Sequence, residues 1–437
     1  MTYIAPEPFA LPRIEYRRVG AWTLVLAAVG LTLASVPLAG VLHGSQQTLA
    51  ATAAPSDPAS RLAWIGFYVC LTLTLLAWLD GMLDMPLRGG LVWVVATLPL
   101  VSSLWSAVPG LTAWQGVGIL LSTLFAFFLA ISLSARQLVG TLSWILLTIG
   151  IVGAFVALAY PDRGLDHLRG NAWSGIYSTK NEFGRIMALA AVVWALRLVT
   201  RHGRRALAWG ALAFSTSMVV LSASRTGLVV VCVSLALVWL LSFIRRRPAL
   251  LGPTVGAVVV VASAAAIWLE GRAVPFLAKA DAEETLHGRV AIWSAVWRMI
   301  KQHFWLGYGE GAFWRGLQGP SASVWEQVGG TPPHAHNGVL DLWLSLGLVG
   351  VVLFGITAVI AARRALNAFR DGIGIESLWP LVFLVFFVLY NMTESNALVP
   401  NTVYWILYAT LLFGHTSDAA TFVPAQSLRV IGRAGAP

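Results

Sequence analysis

The chain has 437 residues, of which 58% are hydrophobic and only 11% charged, and its mean hydropathy is +0.76. A soluble domain carries about 25% charged residues, so a water-soluble fold is excluded. The formal charge of +10 comes from 29 Lys and Arg against 19 Asp and Glu. These basic residues sit in short clusters between apolar runs, which is a pattern of membrane topology and not of a nucleic-acid partner.

A transmembrane helix needs about 20 mainly apolar residues. Runs bounded by charge, Gly or Pro give candidate spans near 21–43, 62–79, 90–104, 113–134, 138–159, 184–200, 206–222, 225–244, 249–268, 337–361, 377–395 and 401–414. They predict an all-α, polytopic integral membrane protein with about 12 transmembrane helices in one membrane domain, 1–437. The first run follows Arg13, Arg17 and Arg18, and the small residues from Leu49 to Ala54 resemble a signal-peptidase site. That run exceeds the roughly 7 to 15 residues of a cleaved segment, so an uncleaved helix is expected. Cys70 and Cys232 lie in apolar stretches without disulfide or zinc spacing.

With a cytoplasmic N-terminus, 17 of the 29 Lys and Arg fall on the cytoplasmic side and both termini come out there. The other 12 fall largely in two long outer segments, 160–183 and 269–336, and long segments obey the charge rule poorly. Residues 269–336 form a large outer segment between the ninth and tenth spans. Outer cations such as Arg163, Arg169, Arg272, Lys279 and Arg315 either snorkel as ordinary solvated side chains or meet something anionic.

In Asn171–Arg185, Thr179 and Glu182 stand in capping-box spacing before an apolar run, so a helix starts there. Its N-terminus, beside Lys180 and Arg185, suits a phosphate; a plain helix entry anchored by Trp173 and Tyr177 explains the same residues. Ser222-Ala-Ser-Arg-Thr-Gly227 joins two apolar helices with almost no loop, which puts Arg225 at or just below the outer interface. A charge there is costly without a partner and points to function.

Leu286, Val290, Trp293, Trp297, Ile300 and Phe304 form one apolar helical stripe, flanked by Arg298 and Lys301 on one side and Arg289 on the other. This helix either lies in the outer interface as a lid that presents Arg289 to lipid headgroups, or packs on the outer surface with Arg289 solvated. Gly307-Tyr-Gly-Glu-Gly311 has neither the strand before it nor the long helix after it that a nucleotide site needs, and is a turn.

In Thr331-Pro-Pro-His-Ala-His-Asn337 two prolines hold the chain extended, which places His334 and His336 at the mouth of a helix beginning near Asn337. Imidazole titrates near neutral pH, as a general base must, and His336 is nearer the bundle. His-x-His is also a metal pattern, but no Cys, and no nearby carboxylate beyond Glu326 and Asp341, completes a ligand set; no metal and no cofactor is expected. Asp341 lies one turn beyond Asn337 and either hydrogen-bonds it or makes a bundle contact. Glu394 ends the eleventh span on the outer side, where it could meet the same cavity.

His336-Asn337, nine residues, Gly347, two residues and Gly350 resemble the signature of the O-antigen ligase superfamily of bacterial inner-membrane proteins, which also holds O-antigen and exopolysaccharide polymerases. Lys180-Asn-Glu-Phe-Gly-Arg185, Ser224-Arg-Thr-Gly227 and Gly288-Arg-Val-Ala-Ile-Trp293 also look like landmarks of that family. The resemblance covers nearly the whole chain through the helix count and the single large segment before the tenth span, which it makes periplasmic.

The resemblance implies a GT-C-like, metal-independent, inverting glycosyltransferase of the Gram-negative inner membrane, with its active site facing the periplasm. Its donor would be an undecaprenyl-diphosphate-linked glycan. In ligases the acceptor is the lipid A core sugar, and in polymerases another lipid-linked repeat. By matching position His336 would be the catalytic base, and Arg225 and Arg289 would hold the diphosphate; Arg185 and Lys180 are added to that site by charge and location. His334, Asn337 and Asp341 would support it. A flippase or other transporter of lipid-linked sugars also needs many helices and an arginine-lined cavity, but no inverted repeat relates the two halves. A polytopic scaffold is a third reading.

Overall fold

In lipid every backbone N–H and C=O must be paired within the protein, which leaves long apolar runs only the helix. The computed structural model describes residues 20–36, 58–78, 89–244, 252–253, 256–257, 260–261, 286–372 and 374–414. It is helical except for a two-residue ladder, Leu165–Asp166 paired antiparallel with Ala172–Trp173. The main helices are α1 (Ala21–Ser35), α2 (Pro58–Ala77), α3 (Gly90–Val101), α4 (Pro109–Ser132), α5 (Ala135–Ala159), α6 (Lys180–Val199) and α7 (Arg205–Leu221). They continue with α8 (Arg225–Ile244), α9 (Leu286–Gln302), α10 (Ser321–Val328), α11 (Gly338–Asp371), α12 (Ile375–Asn391) and α13 (Val403–Phe413).

Among the described residues, α2, α4, α5, α8 and α11 are long and apolar enough to cross a membrane. Helices α1, α3, α7, α12 and α13 are apolar but shorter, and α6 carries Lys180, Glu182, Arg185 and Arg197. A total of about 12 spans therefore does not follow from the helices described. The span expected at 249–268 lies mostly outside the described residues, as do Leu49–Ala54, Arg272 and Lys279.

Helices α6 and α13 form the centre. Every residue of α13 is buried, and α6 packs against α5, α7, α8 and α12. Contacts between consecutive turns gather the helix ends. The hydroxyl of Tyr177 donates to Ser35 O at 2.6 Å, tying the approach to α6 to the end of α1. The Ser222–Ser224 turn packs against α6 at Gly184, where no side chain separates them. The middles of α2 and α4 meet the approach to α13 where Tyr68 donates to Asn401 Oδ1 at 2.6 Å and the Asn401 N–H donates to Ser122 Oγ at 2.8 Å.

A second, smaller core joins α9 and α10 to the loop before α11: Ile292, Ala295, Val296 and Ile300 bury against Phe313, Val324, Ala335 and Leu344. The buried face of α9 is thus not the stripe expected from the sequence, since Val290 (53% exposed) and Trp297 (38%) lie outside it. Arg289, at 5% exposure, turns inward and is not presented to headgroups. The helix is apolar on two faces, and only packing distinguishes them.

Helix α11 is broken at Gly347, whose φ of 66° and ψ of −169° are not helical. The break frees backbone groups, and the segment after α9 pairs with them. Tyr308 N–H donates to Leu344 O at 2.7 Å and Gly309 N–H to Ser345 O at 2.9 Å, while Leu348 N–H donates to Phe304 O at 2.9 Å. Backbone groups shielded from water must find partners within the protein, and here the neighbouring segment supplies them. The Gly307–Gly311 turn is thereby docked over the start of α11.

Candidate functional site

The loop 331–337 sits where these ends converge. Asn337 caps α11, its Oδ1 accepting from the N–H groups of Val339 and Leu340 at 3.0 and 3.1 Å. The side-chain bond between Asn337 and Asp341 expected from their spacing is not made, because each side chain serves another group. Asp341 accepts the Ala335 N–H at 3.0 and 3.1 Å and the Trp314 indole N–H at 2.7 Å, and also accepts from Ser395 Oγ. The indole of Trp293 donates to Ala335 O at 2.9 Å. One residue, Ala335, is therefore clamped from α11 and from α9, and its neighbours His334 and His336 are fixed with it.

His336 has a φ of 51°, a left-handed conformation uncommon outside glycine and the kind of local strain that accumulates at functional sites. His334 Nδ1 accepts the His336 N–H at 3.1 Å, and its Nε2 lies 3.5 Å from Glu394 Oε2. His334 Nδ1 is thus an acceptor and Nε2 carries the proton. Burial holds the His334 imidazole down to about 3; the charges of His336, Arg185 and Arg289 act in the same direction, against the Glu394 carboxylate. It is neutral at pH 7.

His336 Nδ1 faces the same Glu394 oxygen at 3.8 Å and makes no hydrogen bond within the protein. A carboxylate on Nδ1 favours the tautomer that keeps its proton there, leaving Nε2 as the basic nitrogen. Of the two histidines only His336 keeps a ring nitrogen uncommitted. Glu394 is the partner that sequence reasoning did not assign: it is 58 residues away along the chain, and its only signal was its place at the outer end of a span.

Arg185 joins the same cluster from α6. Its guanidinium donates to Asn396 Oδ1 at 2.6 Å, lies 5.0 Å from the Tyr404 ring centroid, and acts electrostatically on Glu394. Arg289 is near enough to act on His334. Arg225 begins α8 at the turn that packs on Gly184, next to Arg185 in sequence.

Lys180 is buried at the first position of α6. Its N–H donates to the Asp166 carboxylate at 3.2 Å, and the Glu182 N–H to Thr179 Oγ1 at 3.2 Å. Donors at this helix end are already engaged, one of them by an anion, which removes the helix-terminus argument for a phosphate there.

His334, His336 and Glu394 each offer one ligand atom, and these atoms lie within 4.8 Å of one another. The set is of a kind that binds zinc, and the carboxylate missing from the sequence pattern is Glu394. The guanidinium of Arg185 beside that carboxylate opposes a second positive charge.

Two cavities open at this end. The larger, about 1150 Å³, is lined by α2 and α4, the Glu310–Gln318 region, His334, Asp341 and Ser395. The smaller, about 260 Å³, is lined by Ser35, Tyr177, Glu182, Arg185 and Tyr404. They share Ser60, Trp64 and Asn401, so they adjoin. His336, Arg225, Arg289 and Lys180 line neither.

These features define an all-α, multi-pass membrane protein with an ionisable site at one end of its helices. Residues 210–355, about a third of the chain, match the O-antigen ligase family model, which is consistent with a member of the O-antigen ligase superfamily. Members of that family are glycosyltransferase-like ligases or polymerases. The matched stretch contains Arg225, Arg289, His334, His336, Asn337, Asp341 and Gly347, while Lys180, Arg185 and Glu394 lie outside it. No curated protein sequence matches the chain.

Proposed function

We propose that the protein is an O-antigen ligase: a metal-independent, inverting glycosyltransferase that moves an undecaprenyl-diphosphate-linked glycan onto the lipid A core sugar at the periplasmic face of the inner membrane. The observation that carries the reading is the His336–Glu394 pair at 3.8 Å, set among arginines at one end of the bundle. No nucleotide sugar exists outside the cytoplasmic membrane, so the donor must bring its own leaving group. A lipid diphosphate is such a group.

As the anomeric bond breaks, negative charge grows on the diphosphate, and preorganised guanidinium groups stabilise it. Arg185, Arg225 and Arg289 take that role, with the Lys180 ammonium at the start of α6 as a further counter-charge. On the opposite face of the sugar, Nε2 of His336 takes the proton of the acceptor hydroxyl as that oxygen attacks, and Glu394 stabilises the imidazolium that forms. Attack opposite to departure inverts the anomeric centre.

A polymerase would use the same donor and the same residues with a second lipid-linked repeat as acceptor. Purified full-length protein incubated with an undecaprenyl-diphosphate-linked glycan and rough lipopolysaccharide separates the readings. Glycan appearing on the lipopolysaccharide supports the ligase, whereas elongation of the lipid-linked species alone supports the polymerase. Movement of donor across a vesicle membrane without transfer supports a transporter.

A further inference from the structure

Glu310 belongs to a turn that the catalytic reading leaves without a task. The turn is rigid. Tyr308 and Gly309 are bonded to the carbonyls freed at the α11 kink, and the Glu310 N–H donates to Ser102 Oγ at 3.1 Å. Gly309 has a φ of 95°, and a Cβ there would meet Ser106 Cβ at 2.6 Å, so the backbone takes a path and a closeness that glycine permits. On the far side Gly311 packs against Gln115 of α4. The outcome is a half-buried carboxyl group on the wall of the larger cavity, where Ser345 also lies.

The cavity around it is amphipathic. Its lining includes the polar Glu310, Gln115 and Gln318, the indoles of Trp114 and Trp314, and the apolar Ile65, Val69, Leu73 and Leu121. Ile65, Val69 and Leu73 are 48%, 52% and 61% exposed on α2, so that wall continues onto the apolar outside of the bundle. A cavity lined by carboxylate, amide and indole groups suits a sugar ring, whose hydroxyls need acceptors and whose C–H faces need apolar cover. The apolar wall suits an attached hydrocarbon chain.

We propose that the larger cavity is the acceptor site, that it takes a glycolipid, and that Glu310, with Gln115, positions the acceptor sugar by accepting hydrogen bonds from its hydroxyls. This rests on the proposed glycosyl transfer only in that the acceptor is a sugar. Glu310 is a positioning residue and does not replace His336 as base. Burial pushes its carboxyl up to about 7, the Ser345 hydrogen bond restrains it, and the Asp341 charge adds to it. The other ionisable groups on this cavity are the cationic Arg61 and Arg315 and the neutral His334.

The test is steady-state transfer by the full-length protein with rough lipopolysaccharide as the varied acceptor, wild type against Glu310→Gln. Loss of a hydrogen bond to a charged group predicts an acceptor KM raised about tenfold to hundredfold, with donor KM and kcat at saturating acceptor within about twofold. Between pH 6 and 8 the wild-type acceptor KM falls as the carboxylate forms, and in Glu310→Gln that dependence disappears. An unchanged acceptor KM, or a change confined to the donor, overturns the proposal.

If Glu310→Gln does not fold, Glu310→Asp takes its place, with a smaller rise in acceptor KM and retention of the pH dependence. If the wild type elongates lipid-linked repeats and leaves lipopolysaccharide untouched, the ligase reading fails. The same variants are then run with the lipid-linked repeat as acceptor, and the same rise is required. If there is no turnover at all, binding of isolated core oligosaccharide, followed by tryptophan fluorescence, decides: wild-type binding that Glu310→Gln does not weaken, or no binding, overturns it.

Discussion

The carbonyl oxygen of Trp305 occupies the space where a Cβ on Gly347 would stand. The segment after α9 and the kinked start of α11 are therefore one unit: the glycine makes room, the kink exposes backbone groups, and residues 304–309 satisfy them. Glu310 and the His334–His336 loop both hang from this unit.

Gly347→Ala is accordingly expected to weaken the fold at this point without touching the catalytic groups. With φ of 66° and ψ of −169°, Gly347 sits in a backbone region essentially closed to side-chain-bearing residues, which costs on the order of 1–3 kcal/mol, and the collision with Trp305 adds to it. Thermal unfolding in detergent should show a lower midpoint, and transfer should fall as Glu310 and the histidine loop lose their seat. A variant with wild-type midpoint and wild-type transfer would mean that the two segments are not mechanically joined.

The helices were legible because lipid leaves apolar segments no other way to satisfy their backbone, and the Pro-Pro-His-Ala-His-Asn run announced both the extended approach and the cap of α11. The partners of those residues were not legible. Glu394, Ser395 and Trp314 reach His336 and Asp341 through the packing of α11 on α12 and of the outer segment on both, and nothing local to the loop encodes that. The face of α9 was misread for a physical reason. Beside a membrane the outward side of a helix can be as apolar as the inward side, so the period of an apolar stripe says that there is a helix and not which side is buried.

Acid should destabilise the folded protein through His334. Its imidazole is held down to about 3 chiefly by burial, whereas an unfolded histidine titrates near 6.5. Between those values the unfolded chain binds the extra proton, so stability rises with pH from about 3 to 6.5 and this contribution levels off above. In His334→Asn the side-chain oxygen stands in for Nδ1 as acceptor of the His336 N–H but does not titrate. Unfolding midpoints at pH 5 and pH 7.5 should therefore differ less in the variant than in the wild type; equal differences would remove His334 as the source.

Transfer should survive chelation. Arg185, Arg225 and Arg289 supply the counter-charge that a divalent ion gives other enzymes, and Arg185 already faces the carboxylate of the His334, His336 and Glu394 set. Complete loss of activity in EDTA, restored by a divalent ion with the protein still folded, would instead make those three residues ligands.

The proposed orientation places α10 outside the cell membrane and the end of α11 inside. Cysteines introduced singly at Ser323 and Asn367, in a background with Cys70 and Cys232 replaced, should react differently with a membrane-impermeant maleimide in intact spheroplasts. Labelling at Ser323 alone is expected, since both positions are exposed. Labelling at Asn367 alone would invert the topology and remove the site from the periplasm.

A base and its leaving-group stabilisers should fail in different ways. His336→Ala removes general-base help worth about 10²- to 10⁴-fold and leaves the arginines in place, so donor should still bind while transfer falls. Glu394→Gln keeps the size and polarity of the group facing His336 but not its charge, so transfer should fall, but less than in His336→Ala. Arg185→Ala, Arg225→Ala and Arg289→Ala should weaken donor binding and slow transfer together, because the diphosphate is charged in the ground state and more so at its leaving oxygen in the transition state. Lysine at any of these positions should rescue only in part, since an ammonium lacks the planar fork of the guanidinium. In cells, loss of His336 from a ligase should leave undecaprenyl-linked polymer unused, while loss from a polymerase should leave single repeats. Near-normal transfer by His336→Ala would end the assignment of the base, and accumulation of single repeats would replace ligation by polymerisation.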